Sequence, residues 1–153
     1  MSDRTPQIIE ALKQAYNAEL ETVTNYLACS INLDGVRAKQ IAAALDADIT
    51  EELGHARLLA ARIKTIGGEV PGSQALKMTQ TSLQPPANST DVIAVIKGVI
   101  DAEEGAIASY KKIIELSDGE DYPTQDLAIT ILTDEQSHLR EFRGFLKEYE
   151  SGM

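Results

Sequence analysis

The sequence predicts an all-α fold, a bundle of four helices with one long crossover between the second and third, and three observations predict it. Apolar residues return at helical spacing in four separate stretches. Ala, Ile, Leu, Glu and Lys dominate while aromatics are few and tryptophan is absent, which favours helix over sheet. One stretch, from Gly67 to Ser89, breaks the pattern with three of the five prolines and many Ser, Thr and Gln.

The first helix begins at Thr5-Pro6, read as a cap followed by proline at the first helical position. It carries Ile8, Leu12, Ala15, Glu19, Thr22, Tyr26 and Cys29 on one stripe and ends at Asp34-Gly35. The second runs from about Val36 to Ile66, with Ile41, Leu45, Asp48, Glu52, His55, Leu59 and Ile63 on one face, and stops at Gly67-Gly68. A helix of about 28 residues is roughly 40 Å long, a distance that about twenty residues of near-extended chain can cover. The stretch after Gly67 can therefore carry the chain back to the end where the second helix began, as a long crossover and not as a tight turn. Ser89-Thr90-Asp91 opens the third helix, whose stripe is Ile96, Val99, Glu103, Ile107, Tyr110 and Ile114, and Ser117-Asp118-Gly119 closes it. The fourth follows Tyr122-Pro123-Thr124, turns Leu127, Ile131, Glu135, His138, Phe142 and Phe145 inward, and fades near Tyr149.

The 153 residues fit a single domain, 1–153, large enough to bury a continuous core without staples. A formal charge of −10 argues against direct nucleic-acid binding, which needs Lys and Arg on the phosphates, and favours a surface that attracts cations. No apolar run reaches membrane-spanning length and the first residues, Met1 to Pro6, lack the pattern of a secretion signal, so a soluble cytoplasmic protein is expected. Cys29 is alone, which rules out an internal disulfide; its place on the first stripe makes it a small core residue.

The chemistry is carried by the only two histidines, each three residues after a glutamate: Glu52-Leu53-Gly54-His55 and Glu135-Gln136-Ser137-His138. Residues i and i+3 share a helix face, so each pair presents a carboxylate and an imidazole to one point. Each half of the chain also has an earlier helix with a glutamate on its stripe: Glu19 precedes Glu52 by 33 residues, and Glu103 precedes Glu135 by 32. A lone buried carboxylate is heavily penalised, and four of them demand cations. No Lys or Arg interrupts the stripes close to the glutamates, although Arg62 lies two turns beyond His55. A pair of divalent metals neutralises four carboxylates, and two imidazoles complete a shell suited to iron or manganese, the arrangement of di-iron carboxylate bundles.

With these residues in place, the chain resembles the ferritin-like superfamily and is most similar to bacterioferritin. The resemblance is carried by Ala18-Glu19-Leu20 with Asn25-Tyr26, Glu51-Glu52-Leu53-Gly54-His55-Ala56, Glu103-Glu104-Gly105-Ala106 and Asp134-Glu135-Gln136-Ser137-His138. It implies that Glu19 with His55 holds one iron and Glu103 with His138 the other, with Glu52 and Glu135 bridging both. Glu103 is preferred to Glu104 because it lies seven residues before Tyr110 on the inward stripe. The resemblance also pairs Asp134 with His55 and Glu51 with His138, the alternative being that both are ordinary exposed acids. Tyr26 matches a family tyrosine near the metals, able to give a hydrogen bond or an electron or simply to pack the core, and Tyr110 is read the same way. Asp48 is expected to face solvent rather than line an access route.

Two departures shape the expectations. Bacterioferritin ligates haem through a methionine just after the glutamate of the second helix, and here Leu53 stands there, so no haem of that kind is expected. Only a few residues follow the fourth helix, where bacterioferritin has a short fifth helix lining a pore of its 24-subunit shell. A homo-oligomer is expected, with a dimer or a twelve-subunit cage like that of the DNA-protecting mini-ferritins favoured over 24 subunits. The function implied is oxidation of Fe(II) by O2 or H2O2 at two iron ions per chain, manganese being a possible substitute, with iron storage if a cage forms. The alternative is a di-metal oxidase or peroxidase of the rubrerythrin or manganese-catalase kind without storage, and the chain lacks the Cys-x-x-Cys pairs of a rubredoxin domain. A third reading, an interaction protein with a vestigial site, is opposed by the intact ligand set.

Overall fold

A computed structural model describes residues 3–151; Met1, Ser2, Gly152 and Met153, which the expected domain and N-terminal reading include, lie outside them. Four helices make up the fold: α1 (Thr5–Asn32), α2 (Ala38–Thr65), α3 (Val92–Ser117) and α4 (Tyr122–Glu150), with one short 3-10 turn at Ser73–Ala75. No strand occurs among the described residues, and the all-α expectation holds.

Contacts at the two ends fix the topology. Asp34 N–H donates to Ser89 O, so α1 ends where α3 begins, and Arg37 and Tyr149 exchange hydrogen bonds that tie the start of α2 to the end of α4. At the other end Arg4 reaches Leu116 O and Arg62 pairs with Asp121 at 2.9 Å. Helices α2 and α3 therefore run parallel, which only a full-length crossover permits. That crossover is pinned to the bundle by Leu83, fully buried, whose backbone rests on α3 at Gly98. A Cβ at Gly98 would lie 2.5 Å from Ser82 O, so only glycine allows this approach.

Helix ends differ from expectation by a residue or two. Thr5 lies inside α1 and not at its cap: Arg4 holds the cap position, and the Asp3 carboxylate accepts the Thr5 N–H at 2.9 Å. Helix α4 starts at Tyr122, earlier than read, because Asp121 caps it through Thr124 N–H, while Pro123 falls where a missing N–H costs nothing. Asp91 caps α3 through Ala94 N–H at 3.1 Å. After α2, Gly67 turns with φ 98°, and Gly68 N–H closes back on Ile63 O at 2.8 Å.

The core is in two parts. Tyr26, Cys29, Ile41, Leu45, Leu83, Ile96, Val99 and Phe142 belong to one cluster. Ile8, Leu12, Leu59, Ile63, Tyr110, Ile113 and Ile131 belong to the other. Thr22, Ile107, Ile114, Leu127 and Phe145, read as inward, are half-buried, and the fully buried neighbours are Glu21, Ile113 and Ala128. The inward line drifts round each helix because 3.6 residues per turn does not divide the seven-residue spacing.

Candidate metal centre

Between the two apolar clusters lies a polar layer to which every helix contributes. Helix α1 supplies Glu19, α2 supplies Glu52 and His55, α3 supplies Glu103, and α4 supplies Glu135 and His138; none is more than 6% exposed. Helical spacing does this work, since a residue on the apolar stripe points inward whatever its polarity.

The six side chains form two overlapping groups. In Glu19, Glu52, His55 and Glu135, one candidate ligand atom from each lies within 4.8 Å of the others, and the same holds for Glu52, Glu103, Glu135 and His138. Glu52 and Glu135 belong to both. Glu52 turns Oε2 toward His55 Nδ1 at 3.9 Å and Oε1 toward His138 Nδ1 at 3.0 Å, and Glu135 Oε1 lies 3.4 and 3.5 Å from the same two nitrogens.

Eight buried side-chain atoms among the described residues have no hydrogen-bond partner. Six are Glu19 Oε2, Glu52 Oε1, His55 Nδ1, Glu103 Oε2, Glu135 Oε1 and His138 Nδ1, one from each member of the set. An unsatisfied buried polar atom costs about 1–3 kcal/mol, so six together rival the whole stability of a domain, about 5–15 kcal/mol. A donor set of four carboxylate oxygens and two ring nitrogens, each able to offer a lone pair once deprotonated, fits two divalent cations of the iron or manganese type.

The opposite side of each ligand is held by the other half of the chain. His55 Nε2 is 2.9 Å from Asp134 Oδ2, and His138 Nε2 is 2.8 Å from Glu51 Oε2, which leaves Nδ1 of each ring pointing inward. Tyr26 O–H donates to Glu103 Oε1 at 2.7 Å, and Tyr110 O–H donates to Glu19 Oε1 at 2.6 Å. The tyrosines are thus packed and also bonded to the candidate ligands. Glu104 is exposed and pairs with Arg143 at 3.1 Å, so Glu103 is the inward residue of the two.

Charge in this layer is strongly coupled. Burial pushes the Glu52 carboxyl up to about 10, with the neighbouring Glu19 adding to the rise, and pushes Glu103 up to about 8 against the pull of His138. Burial acts the same way on Glu135, but His138, His55 and Glu52 outweigh it and bring this carboxyl down to about 2. Burial also opposes charge on the histidines, yet Glu135, Glu19 and Glu52 around His55, and Glu103, Glu135 and Glu52 around His138, raise both far above the ordinary imidazole range. Burial and the crowding of carboxylates thus favour the protonated forms of Glu52, Glu103 and both imidazoles in the metal-free layer.

The expectation for Asp48 is corrected. It is 8% exposed, with Oδ1 3.7 Å from His138 Nε2, and burial pushes its carboxyl up to about 6. It lies one turn before Glu52 on the same face, and that spacing was the available signal. Sequence reasoning also missed Glu21, buried with Oε2 accepting Gln80 N–H at 2.7 Å; its partner lies in the aperiodic crossover, where no pattern could reveal it. Arg62 turns away from the glutamates to Asp121 and Thr124, and Cys29 is fully buried in the core.

Comparisons with known proteins find relatives that share the fold. The family described as Ferritin-like domain matches residues 9–151. A bacterioferritin of Desulfovibrio desulfuricans is 28% identical over 138 residues, 90% of this chain and 73% of that protein. A solved bacterioferritin of the same species, described by its diiron site in different catalytic states, superimposes with a TM-score of 0.83 at 25% identity, covering 97% of this chain and 83% of that one. A DNA protection during starvation protein of Pyrococcus furiosus is 27% identical over 150 residues, 95% of this chain and 80% of that protein. A dodecameric thioferritin of Bacteroides fragilis, described as bacterioferritin-related, superimposes with a TM-score of 0.83 at 23% identity, covering 96% of this chain and 88% of that one.

Proposed function

The chain belongs to the ferritin-like domain family, and from that premise we propose that it is a ferroxidase, taking up two Fe(II) ions per bundle and oxidising them with O2 or H2O2. Glu19 and His55 would hold one ion and Glu103 and His138 the other, with Glu52 and Glu135, which belong to both groups, shared between them. One observation carries the reading: each of these six side chains, and only two other buried groups among the described residues, has an atom without a partner.

When bound, the two ions supply one electron each, enough with two protons to reduce O2 to H2O2, or H2O2 to two waters. The chain's own part is to hold, orient and exchange protons. Asp134 and Glu51 fix the ring orientation through Nε2, so that Nδ1 of each histidine is the donor atom. Tyr26 and Tyr110 each hold one oxygen of Glu103 and Glu19 and leave the second free. Because burial and the crowded carboxylates favour protons on Glu52, Glu103 and the imidazoles, those protons would have to leave for cations to bind. Oligomeric relatives, among them the dodecameric thioferritin, support a homo-oligomer for this chain, with a twelve-subunit cage the form proposed and storage following from its hollow interior.

Anaerobic Fe(II) titration of the intact chain, followed by air or peroxide, tests the reading. Uptake should saturate at two per chain before oxidation, and His138→Ala should lower it to one. A chain that takes up no Fe(II), or takes it up equally well after Glu52→Ala, ends the proposal. Size-exclusion chromatography, with iron loading far beyond two per chain after oxidation, separates a storing cage from a dimer.

A further inference from the structure

The two glutamates common to both groups of the polar layer meet the histidines in different ways. Glu52 turns a different oxygen to each ring, Oε1 to His138 Nδ1 at 3.0 Å and Oε2 to His55 Nδ1 at 3.9 Å. Glu135 turns the same oxygen to both: its Oε1 lies 3.4 Å from His55 Nδ1 and 3.5 Å from His138 Nδ1. The rings themselves are held alike, His55 by Asp134 at 2.9 Å and His138 by Glu51 at 2.8 Å. The difference belongs to the glutamates.

Resting on the two-ion reading above, we propose that the shared glutamates are inequivalent bridges: Glu52 spans the two ions with one oxygen on each, and Glu135 joins them through Oε1 alone. Around an ion with donors at about 2.1 Å, donors at right angles stand about 3.0 Å apart and tetrahedral ones about 3.4 Å apart. Glu135 Oε1 is close to that spacing from both nitrogens at once and has no hydrogen-bond partner, so it can enter both shells with little movement. Glu52 Oε1, also without a partner, has that spacing to His138 only. Toward His55 the nearer oxygen of Glu52 is Oε2, which closes in from 3.9 Å.

The surroundings differ in the same sense. Glu135 borders a cavity of about 240 Å3 between α1 and α3, which Glu52 does not, and space there leaves room for a second oxygen that binds neither ion. Ions that share one oxygen at about 2.1 Å from each stand no more than about 4.2 Å apart, close to the roughly 3.5–4 Å of two-metal sites. Glu135 thus sets an upper limit on the separation of the pair. It does so with one oxygen, where Glu52 needs two.

Glutamine separates the two modes, because its carbonyl oxygen can still meet a cation while its NH2 group cannot, and the charge removed is the same at either position. Co(II), whose ligand-field absorption reports nitrogen and oxygen donors independently of turnover, is titrated by equilibrium dialysis into the intact chain, Glu135→Gln and Glu52→Gln, each checked by circular dichroism before loading. Glu135→Gln should still take up two ions per chain at weakened affinity, and Glu52→Gln should keep only one. Crystals of the intact chain grown with Co(II) read the same point without a variant, through the oxygens that contact each ion and the distance between the ions. Equal losses in the two variants, a greater loss in Glu135→Gln, or a crystal in which Glu135 places one oxygen on each ion overturns the inequivalence while leaving the centre intact. An intact chain that binds no Co(II) overturns the centre and its bridges together.

Discussion

The two halves of the chain, α1 with α2 and α3 with α4, make the same contribution to the centre by unrelated surroundings. Glu19, Tyr26, Glu52 and His55 correspond to Glu103, Tyr110, Glu135 and His138, and each half orients the ligands of the other: Tyr26 and Glu51 reach across to Glu103 and His138, Tyr110 and Asp134 to Glu19 and His55. One turn before the bridging glutamate, however, the first half has Asp48 and the second has the fully buried Ile131. Seven residues after the histidine the first half has Arg62, paired with Asp121, and the second has Phe145, packed edge-on against Phe142. The lesson is that the matched positions are those that supply or orient the atoms facing the centre, while flanking positions on the same stripes have diverged.

Breaking that equivalence begins with the bridges. Because Glu52 and Glu135 belong to both groups, Glu52→Ala or Glu135→Ala should abolish binding of both metals, a loss larger than the roughly 10–100-fold typical of removing a supporting partner. Equilibrium dialysis against Co(II) measures it, and retention of one tightly held ion would show that the halves bind separately. The supporting acids come next. Asp134→Asn should weaken binding about 10–100-fold, whereas Glu51→Gln should cost less, because Asp48 lies 3.7 Å from the same His138 nitrogen and can take over. Equal losses in the two variants would deny Asp48 that role, and Glu51→Gln combined with Asp48→Asn should restore the full loss.

A pH series sharpens the comparison further. Glu103 and Glu52 keep their protons in the metal-free fold up to about 8 and about 10, well above the ordinary glutamate value of about 4.3. The folded chain thus binds more protons than the unfolded one over this range, and stability must fall as pH rises. The melting temperature of the metal-free chain should drop between pH 6 and 8, and that of the Co(II)-loaded chain, whose carboxylates are already deprotonated, should not. A metal-free melting temperature that climbs with pH would contradict the assignment. The smallest effect is expected from the tyrosines: Tyr26→Phe and Tyr110→Phe should each destabilise by about 1–2 kcal/mol, as single hydrogen bonds to carboxylates. Chemical denaturation measures both, and a difference well beyond that would show that one half carries the layer.

Much of this was legible in the sequence because the information is periodic. Four stripes at helical spacing gave the helices, and the same stripes, by including Glu19, Glu52, His55, Glu103, Glu135 and His138, placed all six in the interior. The long aperiodic segment before α3 implied the parallel arrangement of α2 and α3. What escaped depends on contacts between helices or on the crossover. Burial of Asp48 follows from the position of His138 on a different helix, and that of Glu21 from a backbone N–H of the crossover. Helix starts shifted because Asp3 and Asp121, one or two residues outside the expected caps, take the free N–H groups.

The division of the apolar core by a charged layer bears on how the molecule opens. Each greasy end closes over a different set of helix turns, and between them the continuous helices are held together side by side mainly by the hydrogen bonds of the polar layer. Amide exchange in the metal-free chain should therefore report two regions that breathe separately, and filling the waist with metal should weld them into one cooperative unit.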